Sequence, residues 1–272
     1  MSAMQPIGVF DSGVGGLSVL KALRQTLPHA RFVYVSDAGH APYGERDVQH
    51  VLDRSAAIGR YLVEEHEVRA LVVACNTATA AAIATLRANY PTLPIVGVEP
   101  ALKPAGARSR TGVVGVLATR STLASDKFAA LLQAQDPEVR FVLQACDGLA
   151  AAIENAELDQ IRDLCARYTA ALGTFGRDPG EIDTVVLGCT HYTFAAEVLA
   201  PLVGPDVTLM DAGLPVAQRT ASLLAQRSTD GLTTDATAPW VDLWTTGAAS
   251  ALEHAAGQWL RGTGAARKIE LA

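Results

Sequence analysis

Short apolar runs alternate along the chain with longer segments whose apolar residues recur at helical spacing. Ile7–Phe10, Phe32–Val35 and Val68–Ala74 are apolar runs of strand length, and the amphipathic segments Leu17–Leu27 and Val51–His66 separate them. Strands that alternate with helices indicate parallel sheets covered on both faces. We therefore predict an α/β protein.

The same alternation continues to about residue 214. Further strands are predicted at Ile95–Val98, Gly112–Leu117, Arg140–Leu143 and Thr184–Leu187, and helical segments at Leu123–Gln135, at Ala150–Gly173 and from about Leu214. The polar, threonine-rich segment Ser228–Thr237 is predicted to be a surface loop.

One stretch in the first half combines an apolar run with a candidate catalytic residue. Leu71–Ile83, L-V-V-A-C-N-T-A-T-A-A-A-I, predicts a buried strand that delivers Cys75 to a turn before an alanine-rich helix. This edge of an α/β sheet is where ligands bind, and a helix N-terminus lowers the pKa of a thiol below about 8.5. Cys75 is therefore a candidate base or nucleophile, and a small buried core residue is the alternative.

A second copy of this pattern lies in the other half of the chain. Thr184–Ala195, T-V-V-L-G-C-T-H-Y-T-F-A, brings Cys189 to a turn, and a strand ending in Ala118-Thr119 precedes it as one ending in Asp11-Ser12 precedes Cys75. This repetition predicts a duplicated unit. We expect two similar flavodoxin-like domains with parallel sheets, related by a pseudo-twofold axis, with the active site in the cleft between them and the two cysteines facing each other.

Length and composition agree with two domains. The chain has 272 residues, of which 49% are hydrophobic, and this supplies enough apolar surface for two cores. Because chain ends of such folds often return to the first domain, we predict an N-terminal domain of residues 1–98 plus 209–272 and a central domain of residues 99–208.

The loop after the first strand is rich in glycine but lacks a nucleotide signature. In Asp11-Ser12-Gly13-Val14-Gly15-Gly16, Ser18 stands where a dinucleotide fingerprint needs its third glycine, and no P-loop Gly-Lys-Ser/Thr follows. We expect the glycines to let the backbone approach a small ligand, with the Asp11 and Ser12 oxygens pointing at it. A plain helix N-cap at Asp11 or Ser12 is the alternative.

A second candidate loop follows the strand Phe32–Val35. Pro42 fixes its own φ and Gly44 permits an unusual turn, so Tyr43 is expected on a shaped loop that lines a pocket. Nearby His40 is interpreted as an exposed loop residue. His191, two positions after Cys189, is better placed to tune a thiol.

Charge and cysteine spacing exclude several classes of protein. The net charge of −6 without clustered basic residues argues against nucleic-acid binding. No apolar run approaches the ~18 residues of a membrane span and no signal peptide is visible, so we expect a cytoplasmic protein. The four cysteines form no C-x-x-C pair and are expected to be free thiols without a metal. The oligomeric state is not determined by the sequence, and a homodimer remains open.

The motifs together resemble the glutamate racemases of the cofactor-independent aspartate/glutamate racemase superfamily. The resemblance is collinear from residue 7 to about 214 and rests on I-G-V-F-D-S-G-V-G-G-L-S-V-L, A-P-Y-G-E-R, V-V-A-C-N-T-A-T-A and L-G-C-T-H-Y. It implies interconversion of L- and D-glutamate for peptidoglycan synthesis. It also implies that Cys75 and Cys189 are the two proton donors and acceptors, assisted by Asp11, His191 and Glu154.

The resemblance further implies a set of substrate-binding residues. These are Asp11, Ser12, Pro42, Tyr43, Gly44, Asn76, Thr77, Thr119, Thr122, Thr190 and His191, of which Thr119 and Thr122 are expected to hold a carboxylate. Gly39-His40-Ala41 and Thr193 depart from the family pattern, which commonly has T-A-R and proline there. The departures concern the entrance of the site and leave both cysteine motifs intact.

Racemisation explains why two bases are needed. One base removes the α-proton on one face and the other returns a proton on the opposite face. No lysine lies in a motif where it could form a Schiff base, so no cofactor is expected. Aspartate racemase, or another two-cysteine racemase, stays open because one methylene is worth only about 1–3 kcal/mol of discrimination. A non-catalytic homologue is disfavoured because both cysteines are present.

Overall fold

The computed structural model describes residues 5–227, 240–260 and 264–271. The chain divides into two compact units, one of residues 1–98 and 213–272 and the other of residues 99–212. The boundary predicted after residue 208 comes too early, because Leu209 pairs with Val185 in the sheet of the second unit. The predicted loop at Ser228–Thr237 lies outside the described residues.

Strands alternate with helices along the chain, and in the second unit two of the connections contain two α-helices each. The first unit begins with β1 (Ile7–Asp11), α1 (Leu17–Thr26), β2 (Phe32–Ser36), α2 (Val48–Glu64), β3 (Ala70–Val73), α3 (Asn76–Asn89) and β4 (Ile95–Gly97). The second unit contains α4 (Leu102–Arg108), β5 (Val113–Ala118), α5 (Arg120–Leu123), α6 (Asp126–Gln133), β6 (Arg140–Ala145), α7 (Leu149–Glu154), α8 (Leu158–Leu172), β7 (Thr184–Leu187), α9 (Ala196–Val203) and β8 (Thr208–Met210). The chain then returns to the first unit with α10 (Gly213–Ala225), β9 (Val241–Thr245), α11 (Ala249–Leu260) and β10 (Ala266–Lys268).

Each unit is built on a parallel sheet. The strand order is β10-β9-β2-β1-β3-β4 in the first unit and β6-β5-β7-β8 in the second. The order β2-β1-β3-β4 therefore recurs as β6-β5-β7-β8, which confirms the predicted α/β class and the similarity of the two halves. In both units the strand that leads to a cysteine, β3 or β7, lies directly beside the first strand of its half.

Three helical predictions were wrong in their limits for local reasons. The helix predicted at Leu123–Gln135 begins at Asp126, because Ser125 caps it by accepting the backbone N–H of Phe128 at 3.1 Å. The helix predicted from Val51 begins at Val48, because Asp47 caps it by accepting a hydrogen bond from the backbone N–H of His50 at 2.8 Å. The single helical segment predicted from Ala150 to Gly173 is two helices, α7 and α8. Ala156 between them has a φ of +56°, which no α-helix accommodates.

The two strands at the end of the chain were not predicted. Val241–Thr245 alternates buried and half-buried residues and adds to the free side of β2, where Tyr34 pairs with Leu243. The short strand β10 extends the same edge by pairing with β9. These additions give the first unit six strands where the second has four. Within the described ranges, no helix is long and apolar enough to cross a membrane.

Candidate active site

Cys75 lies at the predicted turn between a strand and a helix. It precedes the first residue of α3 in an extended conformation, and its Sγ accepts a hydrogen bond from the backbone N–H of Ala78 at 3.4 Å. The thiol is buried and donates to the Ser12 hydroxyl across 3.7 Å. A sulfur that receives a backbone N–H at a helix N-terminus is stabilised as a thiolate.

Asp11 ends the neighbouring strand β1 and organises the loop that follows it. Its carboxylate is fully buried, and Oδ2 accepts the backbone N–H of Gly16 at 2.7 Å, just before α1. Tyr34 holds the same loop by donating its hydroxyl to the Gly13 carbonyl at 2.6 Å. Asp11 thus holds the loop before α1, but the N-cap of that helix is Gly16, so the plain N-cap alternative is wrong. Asp11 also lies at the edge of the sheet where Cys75 is found.

The close approach of Gly16 to Asp11 gives a stability prediction. Gly16 has ordinary helical dihedrals, yet an added Cβ would lie 2.6 Å from the Asp11 Cβ and 2.9 Å from the Tyr34 hydroxyl. We expect Gly16→Ala to lower the free energy of unfolding by about 1–3 kcal/mol and to reduce activity, because Asp11 must move. Urea unfolding measures the first effect.

The control for this substitution is Gly257→Ala in α11, where an added Cβ meets nothing within 4 Å. That variant should be unchanged or more stable by about 0.5–1 kcal/mol, because alanine favours a helix interior. Equal destabilisation of both variants would contradict the steric explanation.

Asn76 and Thr77 form the first turn of α3 and are buried beside Cys75 in the chain. In the described part of the chain, the Asn76 Oδ1 atom is buried without a hydrogen-bond partner. Buried polar atoms are rarely left in this state. The carboxamide is therefore available to a polar ligand.

The predicted loop at Pro42, Tyr43 and Gly44 lies between β2 and α2 and contains a 3-10 turn, Tyr43–Glu45. Pro42 and Gly44 are half-buried, whereas Tyr43 is buried and its hydroxyl donates to Asp37 Oδ2 at 2.5 Å. Burial, with the charge of Asp37, raises the pKa of Tyr43. His40 is half-buried, not exposed as predicted, and burial lowers its pKa.

Cys189 occupies the corresponding place in the second unit. It follows β7 and precedes a 3-10 helix, Thr190–Ala195, so the predicted turn is confirmed. Its Sγ lies 3.9 Å from His191 Nδ1, and His191 Nε2 lies 2.7 Å from Glu154 Oε2. The Cys189 thiol, the His191 imidazole and the Glu154 carboxylate therefore form a series of two contacts. His191 and Cys189 are both buried.

The two candidate carboxylate-binding threonines follow β5, the strand beside β7. Thr119 caps α5 by accepting the backbone N–H of Thr122 at 3.2 Å, and its hydroxyl donates to that of Thr122 at 2.9 Å. Both side chains are buried, as is Thr190. Because β5 and β7 are neighbours, these threonines and Cys189 share the carboxyl edge of one sheet.

The remaining cysteines, Cys146 and Cys165, are buried thiols with raised pKa values. Cys165 lies within α8, and burial raises its pKa to about 11. Cys146 is buried after β6, donates to the Gln144 carbonyl at 3.5 Å and also has a raised pKa, chiefly from burial. Neither thiol is suited to act as a base near neutral pH. Among the described residues, no group of His, Cys, Asp and Glu could hold a metal ion.

One cavity of about 520 Å³ lies elsewhere in the second unit and contains none of the predicted site residues. It is found where β7 and β8 begin, with Arg108, Asp183 and Thr208 among its lining. Asp183 accepts hydrogen bonds from Ser109 Oγ at 2.7 Å and from the backbone N–H of Arg110 at 2.6 Å. These bonds join the start of β7 to the chain before β5, at the edge opposite Cys189.

Two units that share a four-strand order, each bringing a buried cysteine to a turn at the carboxyl edge of its sheet, define an α/β enzyme equipped for acid and base chemistry with thiols. Residues 7–220 match the Asp/Glu/Hydantoin racemase family. The chain belongs to this family and is an isomerase.

Individual relatives agree with this assignment. A glutamate racemase of Ectopseudomonas mendocina is 50% identical over 223 residues, which cover 81% of this chain and 82% of the relative. Another, of Methylococcus capsulatus, is 46% identical over 90% of this chain and 88% of its own length.

Solved structures show the same similarity. Glutamate racemase RacE1 of Bacillus anthracis superposes with a TM-score of 0.84 at 30% identity, covering 98% of each chain. The Escherichia coli glutamate racemase, solved with L-glutamate and the activator UDP-MurNAc-ala, gives a TM-score of 0.82 at 30% identity over 98% of this chain and 99% of that one. The resemblance noted in the sequence is confirmed.

Proposed function

We propose that this chain interconverts L- and D-glutamate, with Cys75 and Cys189 as the two bases that act on opposite faces of the α-carbon. The observation that carries the proposal is the equivalent placement of the two cysteines. Each follows the strand beside the first strand of its half and stands at the start of a helical turn. The substrate, glutamate, is inferred from the names of the relatives. The mechanism requires both thiols to reach one α-carbon.

The difficulty of the reaction lies in the weak acidity of the α-proton. As that proton leaves, the α-carboxylate gains negative charge, so hydrogen-bond donors fixed in advance around it lower the barrier. Asn76 and Thr77 beside Cys75, and Thr190 beside Cys189, supply such donors. The Asn76 carboxamide oxygen, which is buried without a partner in the described residues, can accept from the substrate ammonium group.

His191 and Glu154 prepare Cys189. An ionised carboxylate only accepts hydrogen bonds, so in the 2.7 Å contact His191 Nε2 is the donor. The neutral ring then presents the lone pair of Nδ1 to the Cys189 thiol, 3.9 Å away. In this arrangement the imidazole takes the thiol proton as the thiolate forms, and Glu154 stabilises the resulting imidazolium.

The lysines do not offer a Schiff base at this site. Lys127 forms an ion pair with Glu99 at 3.0 Å, and Lys21 lies in α1 away from the loops at the carboxyl edge. Lys103 lies in α4 and Lys268 in β10. The proposal therefore assigns the proton transfers to the two thiols and needs no added cofactor.

The test of the substrate is circular dichroism of L-glutamate and L-aspartate solutions with the full chain and no added cofactor. We expect glutamate to lose its optical activity faster, by about 10- to 200-fold in kcat/KM, which is the discrimination that one methylene allows. Faster turnover of aspartate would make the protein an aspartate racemase. Added pyridoxal phosphate should not change either rate.

The cellular part of the proposal is the supply of D-glutamate for peptidoglycan in the cytoplasm. Expression of the chain in a bacterial strain that requires added D-glutamate should restore growth without that supplement. A variant that carries both Cys75→Ser and Cys189→Ser should not restore it. A homodimer is the assembly that the sequence leaves open. Sedimentation equilibrium of the full chain tests it directly.

A further inference from the structure

A buried carboxylate beside the Tyr43 loop has no role in the chemistry described above. Asp37 follows β2, is fully buried and accepts four hydrogen bonds. Oδ2 receives the Tyr43 hydroxyl at 2.5 Å and Arg54 Nε at 3.0 Å, and Oδ1 receives Arg54 Nη2 at 3.1 Å and the Thr246 hydroxyl at 2.8 Å. Both oxygens are thus fully engaged within the first unit.

Arg54 extends this cluster to the end of the described chain. It lies in α2 with only 8% of its surface exposed, and its Nη1 donates to the Leu271 carbonyl at 2.8 Å. Desolvation alone would lower the pKa of Arg54, but the hydrogen bond and charge of Asp37 outweigh it and raise the pKa. A buried ion pair is costly unless its geometry is complete, and here the guanidinium binds the carboxylate through two nitrogens.

Thr246 links the cluster to the loop that carries Tyr43. Its hydroxyl accepts the Gly39 N–H at 3.1 Å, and its own N–H donates to the Ser36 carbonyl at 3.0 Å. A Cβ at Gly39 would lie 2.7 Å from the Thr246 carbonyl oxygen. Glycine at this position, a departure from the usual family pattern, is therefore required by the contact with the segment after β9.

The hydroxyl of Tyr43 has only one proton, and that proton is donated to Asp37. The hydroxyl therefore cannot donate to a substrate carboxylate. What Tyr43 does instead is anchor the loop, with half-buried Pro42 and Gly44 on either side of it.

We propose that Asp37 and Arg54 are positioning residues that hold Tyr43, and thereby set the main chain of Pro42 to Gly44 for binding the substrate. This inference rests on the proposed function, because that function makes the loop a substrate-binding element. The cluster also joins β2, α2, the segment after β9 and Leu271 to this loop. Sequence reasoning missed it, although Ser36-Asp37 stands at the end of β2 just as Asp11-Ser12 stands at the end of β1.

The kinetic test uses Tyr43→Phe, Arg54→Lys and Arg54→Met in the full chain. Loss of the Tyr43 hydrogen bond should raise KM on the order of tenfold in both directions with kcat nearly unchanged, because the loop binds ground state and transition state alike. Arg54→Met should raise KM at least as much. Arg54→Lys, which keeps the charge but loses the two-nitrogen contact, should fall between Arg54→Met and the unsubstituted chain.

The matched control is Arg24→Lys. Arg24 is a half-buried arginine of the first unit that donates to the Leu260 carbonyl, away from Asp37. Its substitution should leave both KM and kcat unchanged. A fall in kcat at constant KM in the Arg54 or Tyr43 variants would overturn the positioning role, because it would place these residues in the chemical step.

A second readout does not depend on the substrate. Amide hydrogen exchange of residues 38–46, measured without ligand, should speed up in Arg54→Lys and Tyr43→Phe while α1 and β1 keep their protection. Unchanged loop exchange in both variants would overturn the inference even if glutamate is racemised. Faster loop exchange in a chain that does not racemise glutamate would instead contradict the proposed function and leave the anchoring of the loop supported.

Discussion

Replacing either Cys75 or Cys189 with serine is expected to lower kcat/KM for glutamate racemisation by on the order of 10²–10⁴ in both directions. Each direction needs one thiol to take a proton and the other to return one, so the loss of a single base stops the whole cycle. A serine hydroxyl keeps the size and the hydrogen bonds of the side chain but is far less acidic than a thiol. Racemisation followed from both enantiomers by circular dichroism measures the effect.

Cys165→Ser is the matched control for this pair of variants. Cys165 is as buried as the two candidate bases but lies within α8, where no predicted site residue is found. Its substitution should lower stability somewhat and leave turnover per folded molecule unchanged. Near-normal turnover by Cys75→Ser or Cys189→Ser would mean that the cysteine concerned is structural and that the two-base mechanism is wrong.

The second large effect expected is that substitutions beside the two cysteines slow proton removal from different enantiomers. The resemblance to glutamate racemases assigns Cys75 to the proton of D-glutamate and Cys189 to that of L-glutamate. His191 lies beside Cys189, and Asp11 ends the strand next to the one that leads to Cys75. We therefore expect His191→Asn to slow proton removal from L-glutamate by about 10²-fold, and Asp11→Asn to act mainly on D-glutamate.

The measurement is early solvent deuterium incorporation at the α-carbon, started from each enantiomer in each variant. Asn at position 11 can still accept the Gly16 N–H, so the loop should be retained while the charge is removed. Glu154→Gln should follow the pattern of His191→Asn more weakly, because it removes the carboxylate that orients the ring. If both variants slow incorporation from L- and D-glutamate in equal proportion, these residues only maintain the pocket.

Local features of the site were predictable because they depend on near neighbours in the chain. An apolar run that ends in a cysteine and continues into alanines predicts a strand, a turn and a helix, and both Cys75 and Cys189 occupy such turns. The strand Thr184–Leu187 has the predicted bounds. The helix limits at Val48 and Ala156 were missed because a single cap or a single left-handed residue decides them.

By itself, then, the sequence determined the α/β class, the similarity of the two halves, and the turns that carry the two thiols. Only the tertiary structure decided that Glu154 meets His191 and that Asp37 binds Arg54 and Thr246. It also decided that Leu209 belongs to the second sheet. The physical reason is separation along the chain. Hydrophobic periodicity reports the burial of a segment, whereas these hydrogen bonds join residues far apart in the chain. Their partners are chosen by strand order and register, which no local pattern specifies.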